Sequence, residues 1–358
     1  MRAFVYNGQP VRVIFGRGAL AHLEREIDLL GARRALVLST PGQQDQARMV
    51  ADRLGSRAAG VFARAVMHVP IETARQAREQ ARRLDADCAV AIGGGSTTGL
   101  GKAIALECGL PILAIPTTYA GSEMTPIYGI TEAGLKRTGK DARVLPRCVI
   151  YDPELTLGLP GPTSVTSGLN AIAHAAEGLY ARDANPVTDL MAEDGIRALA
   201  RALPAIRRDG GDLEARSDAL YGAWLCGLVL GNVGMALHHK LCHALGGSFD
   251  LPHAEVHAVV LAQAIDFNAP VTPDAMERIG RALGTAGRCS AAAALYDLAR
   301  DNGAPVALKD IGMRMADLDR AADLVMSSPY WNPRPIGATQ RTAIRRLLQN
   351  AYDGVRPD

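Results

Sequence analysis

Five of the chain's eight histidines lie between His238 and His257, in the run Leu237-His-His-Lys-Leu-Cys-His-Ala-Leu-Gly-Gly-Ser-Phe-Asp-Leu-Pro-His-Ala-Glu-Val-His257. An imidazole changes charge nearest neutrality, so it can give or take a proton at physiological pH, and it is also a common metal ligand. His239 and His243 stand four apart and share one helical face, with the cation of Lys240 beside them. Upstream, Ser167-Gly-Leu-Asn-Ala-Ile-Ala-His-Ala-Ala-Glu177 places Asn170 and His174 four apart on another helix. A single histidine would read as a hydrogen-bonded structural residue. Five with a lysine are costly to gather away from water without use, and they mark a candidate site for acid–base chemistry or anion binding.

A second constellation suits phosphate. Cys88-Ala-Val-Ala-Ile-Gly-Gly-Gly-Ser96 runs from an apolar strand through Gly93, Gly94 and Gly95 to Ser96 and into a helix over Thr97 to Leu106. Glycines let backbone N–H groups approach an anion, and a helix N-terminus adds partial positive charge. Alone, the triplet is equally well a tight turn. After the next strand comes a second polar loop, Pro116-Thr-Thr-Tyr-Ala-Gly-Ser-Glu-Met-Thr125, again at a carboxyl end, where open α/β sheets bind ligands.

These residues need a scaffold. Apolar runs at 35–38, 89–92, 112–115 and 148–151 read as buried strands, with helical spacing at 43–54 and 73–84 between the first two. Such alternation predicts βαβ units and a mainly parallel sheet. Beyond Asp152-Pro153 the strand signals fade, and 187–203, 212–230 and 339–352 carry helical periodicity. The expected architecture is an α/β nucleotide-binding domain over residues 1–157 and an all-helical catalytic domain over 158–358, sharing a ligand cleft. A chain of 358 residues suits two cores better than one.

Composition narrows the class. A net charge of +2 gives no electrostatic reason to expect nucleic acid. The six cysteines form no CxxC pair and no disulfide framework, so reduced thiols and a cytoplasmic protein are expected. No run of about 18 apolar residues is present to span a bilayer, and the N-terminus lacks a signal-peptide core, so no membrane partner is expected.

The Gly-Gly-Gly-Ser at 93–96 with Lys102, the Pro-Thr-Thr and Gly-Ser-Glu of 116–123, Phe15-Gly-Arg-Gly-Ala19 and Asp152-Pro153 resemble the iron-type alcohol dehydrogenases, of the dehydroquinate synthase-like fold. The resemblance implies that Gly94, Gly95 and Ser96 hold a pyrophosphate and that Thr117, Thr118 and Lys136 contact the nicotinamide nucleotide. One departure is Gly99, where many relatives carry Asp. Ser39 and Thr40, at the end of the first strand, fall where the family places an acidic residue against the adenosine ribose. Lacking that charge, the chain is expected to accept NADH or NADPH.

The family's metal helix carries Asp, three residues, then His, and its later ligands are two histidines fourteen apart. His174, His239 and His253 match, whereas Asn170 replaces the Asp. Losing the only anionic ligand weakens a hard or borderline cation site, so no metal is expected, although three histidines alone hold zinc in other folds. Asn170, Lys240 after His239, and His253-Ala-Glu-Val-His257 are more similar to the maleylacetate reductase branch, and Ser328-Pro-Tyr-Trp-Asn-Pro-Arg-Pro335 is compatible with it. That branch implies NAD(P)H-dependent reduction of the carbon–carbon double bond of maleylacetate, a small dicarboxylate, in aromatic and chloroaromatic degradation, by a homodimer. His243, Lys240 and His253 are then the donor candidates, with Arg143 and Arg334 as further cations. The alternatives are a metal-dependent alcohol or glycerol dehydrogenase, a dehydroquinate synthase-like lyase, and a non-catalytic nucleotide sensor.

Overall fold

The protein is described by a computed structural model covering residues 3–133, 135–327 and 330–358, with backbone only at Leu135 and Lys136. The Lys136 side chain, Ser328 and Pro329 therefore lie outside the described residues. The chain divides into two compact units, Gly8–Leu159 and Pro160–Asp358, the latter counted together with the N-terminal stretch ending at Asn7. The break falls after Leu159 rather than after 157. Asp152 caps a short 3₁₀ turn over Pro153–Thr156, the turn carries on to Leu159 through its N–H to the Thr156 carbonyl, and Pro160 opens the next helix. Nothing in Phe4-Val5-Tyr6 signals that this stretch belongs with the second unit.

Among the described residues, the first unit is built on eight strands and four helices. In order these are β1 (Arg12–Phe15), α1 (Leu23–Leu29), β2 (Ala35–Leu38), α2 (Gln44–Leu54), β3 (Ala58–Phe62), α3 (Ile71–Arg83), β4 (Cys88–Gly93), α4 (Gly95–Cys108), β5 (Ile112–Pro116), β6 (Ile127–Glu132), β7 (Leu135–Lys140) and β8 (Cys148–Tyr151). Six strands form a sheet of order β1-β8-β5-β4-β2-β3, parallel throughout. β2 shows why its sequence is uniformly apolar. Ala35 and Val37 face one core with Leu23, Ile27 and Val50, while Leu36 and Leu38 face the other with Phe62, Leu100 and Ile104. A strand buried on both faces has no polar side to alternate with. Each large apolar side chain so buried contributes about 1.5–3 kcal/mol.

All four expected strands are present, and two of them, β2 and β8, have the expected bounds. β1 and β3 were not expected, because Arg12-Val-Ile-Phe has only three apolar residues together and Ala58-Ala-Gly-Val-Phe is diluted by small residues of low strand propensity. β6 and β7, an antiparallel pair standing apart from the main sheet, were also unforeseen. Both are half-exposed or charged and lack hydrophobic contrast.

The second unit is helical: α5 (Gly161–Gly178), α6 (Pro186–Arg208), α7 (Leu213–Asn232), α8 (Leu237–Phe249), α9 (His253–Asn268), α10 (Pro273–Ala282), α11 (Ala291–Asp301), α12 (Leu318–Met326) and α13 (Arg341–Asp353). No strand follows β8 among the described residues. α6 begins with a capping box, in which the Asn185 side chain takes the Thr188 N–H and the Thr188 hydroxyl takes the Asn185 N–H, with Pro186 at the first helical position. It runs past Pro204, where sequence alone suggests a stop, because packing on α5 and α7 outweighs one lost backbone hydrogen bond. Leu237, Leu241 and Leu245 of α8 share a core with Val256 and Val260 of α9, Leu318 of α12 and Leu348 of α13. This core fixes the helices that carry the histidines. No single helix among the described residues is long and apolar enough to cross a membrane.

Candidate active site

In the first unit, β4 and β5 lie side by side in parallel, so both loops predicted to bind nucleotide leave the same edge of the sheet. Gly93 sits at φ +148, which disfavours any side chain, and a Cβ there would meet Thr97 Oγ1 at 2.5 Å and Gln43 Oε1 at 2.8 Å. A Cβ on Gly94 would meet Thr118 Cγ2 at 2.9 Å. Gly94 is the N-cap of α4 and makes no side-chain cap, so the first N–H groups of that helix remain available to an anion. Thr97 Oγ1 is buried without a partner. This bare, glycine-lined cradle fits a dinucleotide pyrophosphate. Gly95 is exposed and Ser96 half-buried, so both are open to a ligand.

Ser39 is fully buried, and its hydroxyl donates to the Thr40 carbonyl; Thr40 Oγ1 donates to Gln43 Oε1 at 3.2 Å. Gln43 Nε2 in turn donates to Thr117 Oγ1 at 2.7 Å, joining the β2 and β5 loops. Gln43 is a residue that sequence reasoning missed, because its partner lies 74 positions away. Lys102, buried on α4, donates to Ser122 O, Thr125 Oγ1 and Ile127 O at 2.7, 2.9 and 2.7 Å. Burial lowers its pKa to about 7, against the opposing pull of Glu123. Lys136 is paired with Thr131 in the β6–β7 ladder, which places its backbone only.

The second unit gathers four buried imidazoles. His174 Nδ1 lies 2.8 Å from His239 Nε2, and His239 Nδ1 lies 2.7 Å from Glu177 Oε2. Glu177, one turn beyond His174 on α5, anchors this pair. Its carboxylate is fully buried and accepts the backbone N–H groups of Ala236, His238 and His239 at 2.9, 2.8 and 3.3 Å. These are the orphan donors at the N-terminus of α8, where negative charge is favoured. Burial pushes the Glu177 carboxyl up, but the hydrogen bond from His239 and the backbone N–H groups it accepts outweigh this and hold the group below the usual range. The carboxylate fixes the N–H of His239 on Nδ1, so Nε2 accepts and His174 Nδ1 donates to it. One anchor sets two rings.

Asn170 sits a turn before His174, 6% exposed, with Oδ1 unpartnered. His253, at the start of α9, is half-buried, with its ring 4.5 Å from that of His257. His257 and His238 are buried and joined Nδ1 to Nε2 at 2.9 Å, and Cys242 Sγ lies 3.5 Å from the same His238 nitrogen. Burial keeps both rings neutral, lowering His238 to about 3. His243 is exposed, its ring 6.4 Å from that of His239. Lys240 Nζ lies over the Tyr330 ring at 5.6 Å.

Two further cations prove to be committed elsewhere. Arg143 is exposed and held by both oxygens of Asp141, so it is a surface ion pair rather than a dicarboxylate clamp. Arg334 donates to the Phe267 carbonyl and stacks on the Phe267 ring. In the Tyr330–Pro335 stretch, Asn332 is the residue that matters: it accepts the Leu237 N–H and pairs with Asn268, fastening the start of α8.

The cation of the iron-type enzymes is a poor fit to these residues. An amide replaces the anionic ligand, and His174 and His239 spend their facing nitrogens on each other. Among the described residues, the trio with donor atoms all within 4.8 Å is His238, Cys242 and His257, not His174, His239 and His253.

Comparison with known proteins gives two family matches: the iron-containing alcohol dehydrogenase profile over residues 10–153, and that of the C-terminal region of the Fe-containing alcohol dehydrogenase family over residues 164–352. The chain is 65% identical over 357 residues to a maleylacetate reductase of Burkholderia cepacia, covering 100% of both. A crystal structure of maleylacetate reductase from Agrobacterium tumefaciens superposes with a TM-score of 0.94 at 54% identity, covering 100% of both chains. One from Ralstonia eutropha JMP134, assigned provisionally as an alcohol dehydrogenase, does so at 0.98 and 67%, again covering 100% of both.

Proposed function

The chain belongs to the iron-containing alcohol dehydrogenase family and, within it, to the maleylacetate reductases, and on that footing we propose that it reduces the carbon–carbon double bond of maleylacetate to 3-oxoadipate with NADH or NADPH. The observation that carries the reading is the Asn170, His174, His239 and His253 constellation. It offers neutral hydrogen-bonding groups where an alcohol dehydrogenase needs a cation to stabilise an alkoxide.

A reduced nicotinamide held by the nucleotide loops would supply a hydride to the alkene carbon β to the ketone, leaving enolate charge on the ketone oxygen for this chain's residues to meet. Lys240 and His253 are assigned to that oxygen, where losing one donor typically costs about 2.7–4 kcal/mol. His243 gives the proton that the α carbon takes up as the enolate collapses, and its exposure supports this role, since a proton donor must be reloaded from water. His174, His239 and Asn170, close to them in the same cluster, are assigned to orienting the dicarboxylate. In the nucleotide unit, Gly93, Gly94, Gly95 and Ser96 receive the pyrophosphate, Thr117, Thr118 and Lys136 the nicotinamide half, and Ser39 and Thr40 the adenosine ribose. Thr40 adds no negative charge against a 2′-phosphate, which supports use of both cofactors. A delocalised enolate is less basic than an alkoxide, so we assign the reaction to a metal-free site. We place the enzyme in the cytoplasm as a homodimer, in line with its six free thiols and its family.

The test is to mix purified protein with maleylacetate and either reduced cofactor and follow the absorbance of the cofactor. Consumption with both NADH and NADPH is expected. Oxidation of simple alcohols without any turnover of maleylacetate would replace this reading with that of an alcohol dehydrogenase, and turnover without net cofactor loss would replace it with a lyase.

A further inference from the structure

His257 is 1% exposed, and its Nε2 is buried with no hydrogen-bond partner. An orphaned buried nitrogen costs about 1–3 kcal/mol, so it calls for a reason. The ring is not loosely placed: His238 Nε2 holds its Nδ1 at 2.9 Å, and Cys242 Sγ backs the same His238 nitrogen at 3.5 Å. Its neighbours are the cluster itself, with ring centroids at 4.5 Å for His253, 5.2 Å for His239 and 6.0 Å for His174, all inclined steeply to it. Two more polar atoms of the cluster are unpartnered: Asn170 Oδ1, one turn from His174 on the same helix, and Nδ1 of His238 itself. Three unfilled polar atoms in one set of imidazoles indicate a ligand rather than three separate packing faults.

We propose that His257 is a further substrate-contacting residue, held at Nδ1 by His238 and offering its Nε2–H to an oxygen of the dicarboxylate. This rests on the maleylacetate reading above. A single proton lies on the line between the two rings. A dianionic substrate presents only acceptors, so the binding form is the one in which His238 Nε2–H donates to His257 Nδ1 and His257 keeps its own N–H at Nε2. His238 is then a positioning residue, and Cys242 a second acceptor for its N–H. The buried, neutral pair supplies a donor that stays in place without requiring a proton from solvent.

The test compares wild type with His257→Phe, which keeps the ring volume without nitrogens, and with His257→Gln, whose amide N–H can stand in for Nε2–H. The KM for maleylacetate should rise tenfold or more in the Phe variant and recover severalfold in the Gln variant, with the KM for NADH unchanged. Calorimetric titration of adipate into the NADH complex reads the contact without turnover, and its Kd should follow the same order. In wild type labelled with ¹⁵N-histidine, adipate should shift the His257 Nε2 resonance, a readout that needs no variant to fold. A folded Phe variant that binds adipate within twofold of wild type, or a resonance that does not move, would overturn the proposal. Wild type that binds adipate through His257 yet leaves maleylacetate untouched would overturn the activity instead.

Discussion

Every contact of Glu177 in the α8 cap arrives from a donor. Oε1 takes the His238 N–H and Oε2 takes the Ala236 N–H, the His239 N–H and the His239 ring N–H. A glutamine cannot replace it: whichever way the amide turns, an NH₂ faces an N–H. Glu177→Gln is therefore expected to cost at least about 1–3 kcal/mol of stability and to lower kcat, because His239 and, through it, His174 lose their fixed tautomers. The carboxyl is held below its ordinary range, so its contribution is present above the unfolded carboxylate pKa and disappears as pH falls through the folded value. Urea midpoints at neutral and acidic pH, with kcat beside them, measure both effects; a Gln variant with a wild-type midpoint and kcat would remove Glu177 from this role. The i,i+4 spacing of Asn170 and His174 was legible because it is local. Glu177 was not, since its partners lie 59 to 62 positions away and only tertiary packing brings α8 to α5.

Helix α4 shows what an element adds to its residues. Its N-terminus carries no side-chain cap, while Lys102 on a later turn fastens Ser122, Thr125 and Ile127, the end of the loop that begins at Pro116. Three acceptors at 2.7–2.9 Å match the three donors of an ammonium group. Lys102→Met leaves them unsatisfied, so the loop should loosen and the KM for NADH should rise, with little change in the KM for maleylacetate. The pH dependence has a definite sign. Burial takes the folded pKa to about 7, whereas an unfolded lysine titrates near about 10.4. Between these values the unfolded chain binds the extra proton, and stability rises with pH. The difference in urea midpoint between wild type and Lys102→Met should accordingly grow from about pH 7 to about pH 10; a constant difference would show that Lys102 titrates as it does in water. The glycine loop and β4 were readable from composition and position. The clamp was not, because a lysine in a helix ordinarily reads as a solvated side chain.

At the scale of the whole chain, an alternation of apolar strands and helices followed by uninterrupted helical periodicity was enough to give an α/β unit and a helical unit. It missed the elements that owe their existence to context: β1 and β3 at the sheet edges, the charged β6–β7 pair, and the N-terminal stretch grouped with the helices. The candidate nucleotide loops belong to one unit and the imidazoles to the other, so both enter the function proposed above.

The donor set argues against a metal. Asn170 offers an amide oxygen in place of a carboxylate, His174 and His239 are bonded to each other, and the charge of Glu177 lies behind the far nitrogen of His239 rather than among the ligand atoms. A divalent cation placed there would meet neutral donors only, and the affinity of hard and borderline cations falls with the loss of anionic ligands. Conjugate reduction tolerates this loss because its charge is spread over an enolate. The expected outcome is that purified enzyme contains well under one equivalent of iron or zinc by elemental analysis and that exhaustive chelation leaves turnover unchanged. Asn170→Asp restores the anionic ligand and should raise zinc affinity at least tenfold, measured by competition with a chromogenic chelator, with no rise in maleylacetate turnover on adding zinc. Stoichiometric metal whose removal abolishes turnover and whose return restores it would mean instead that the Asn170 amide serves as a ligand and that His174 and His239 part to admit the ion.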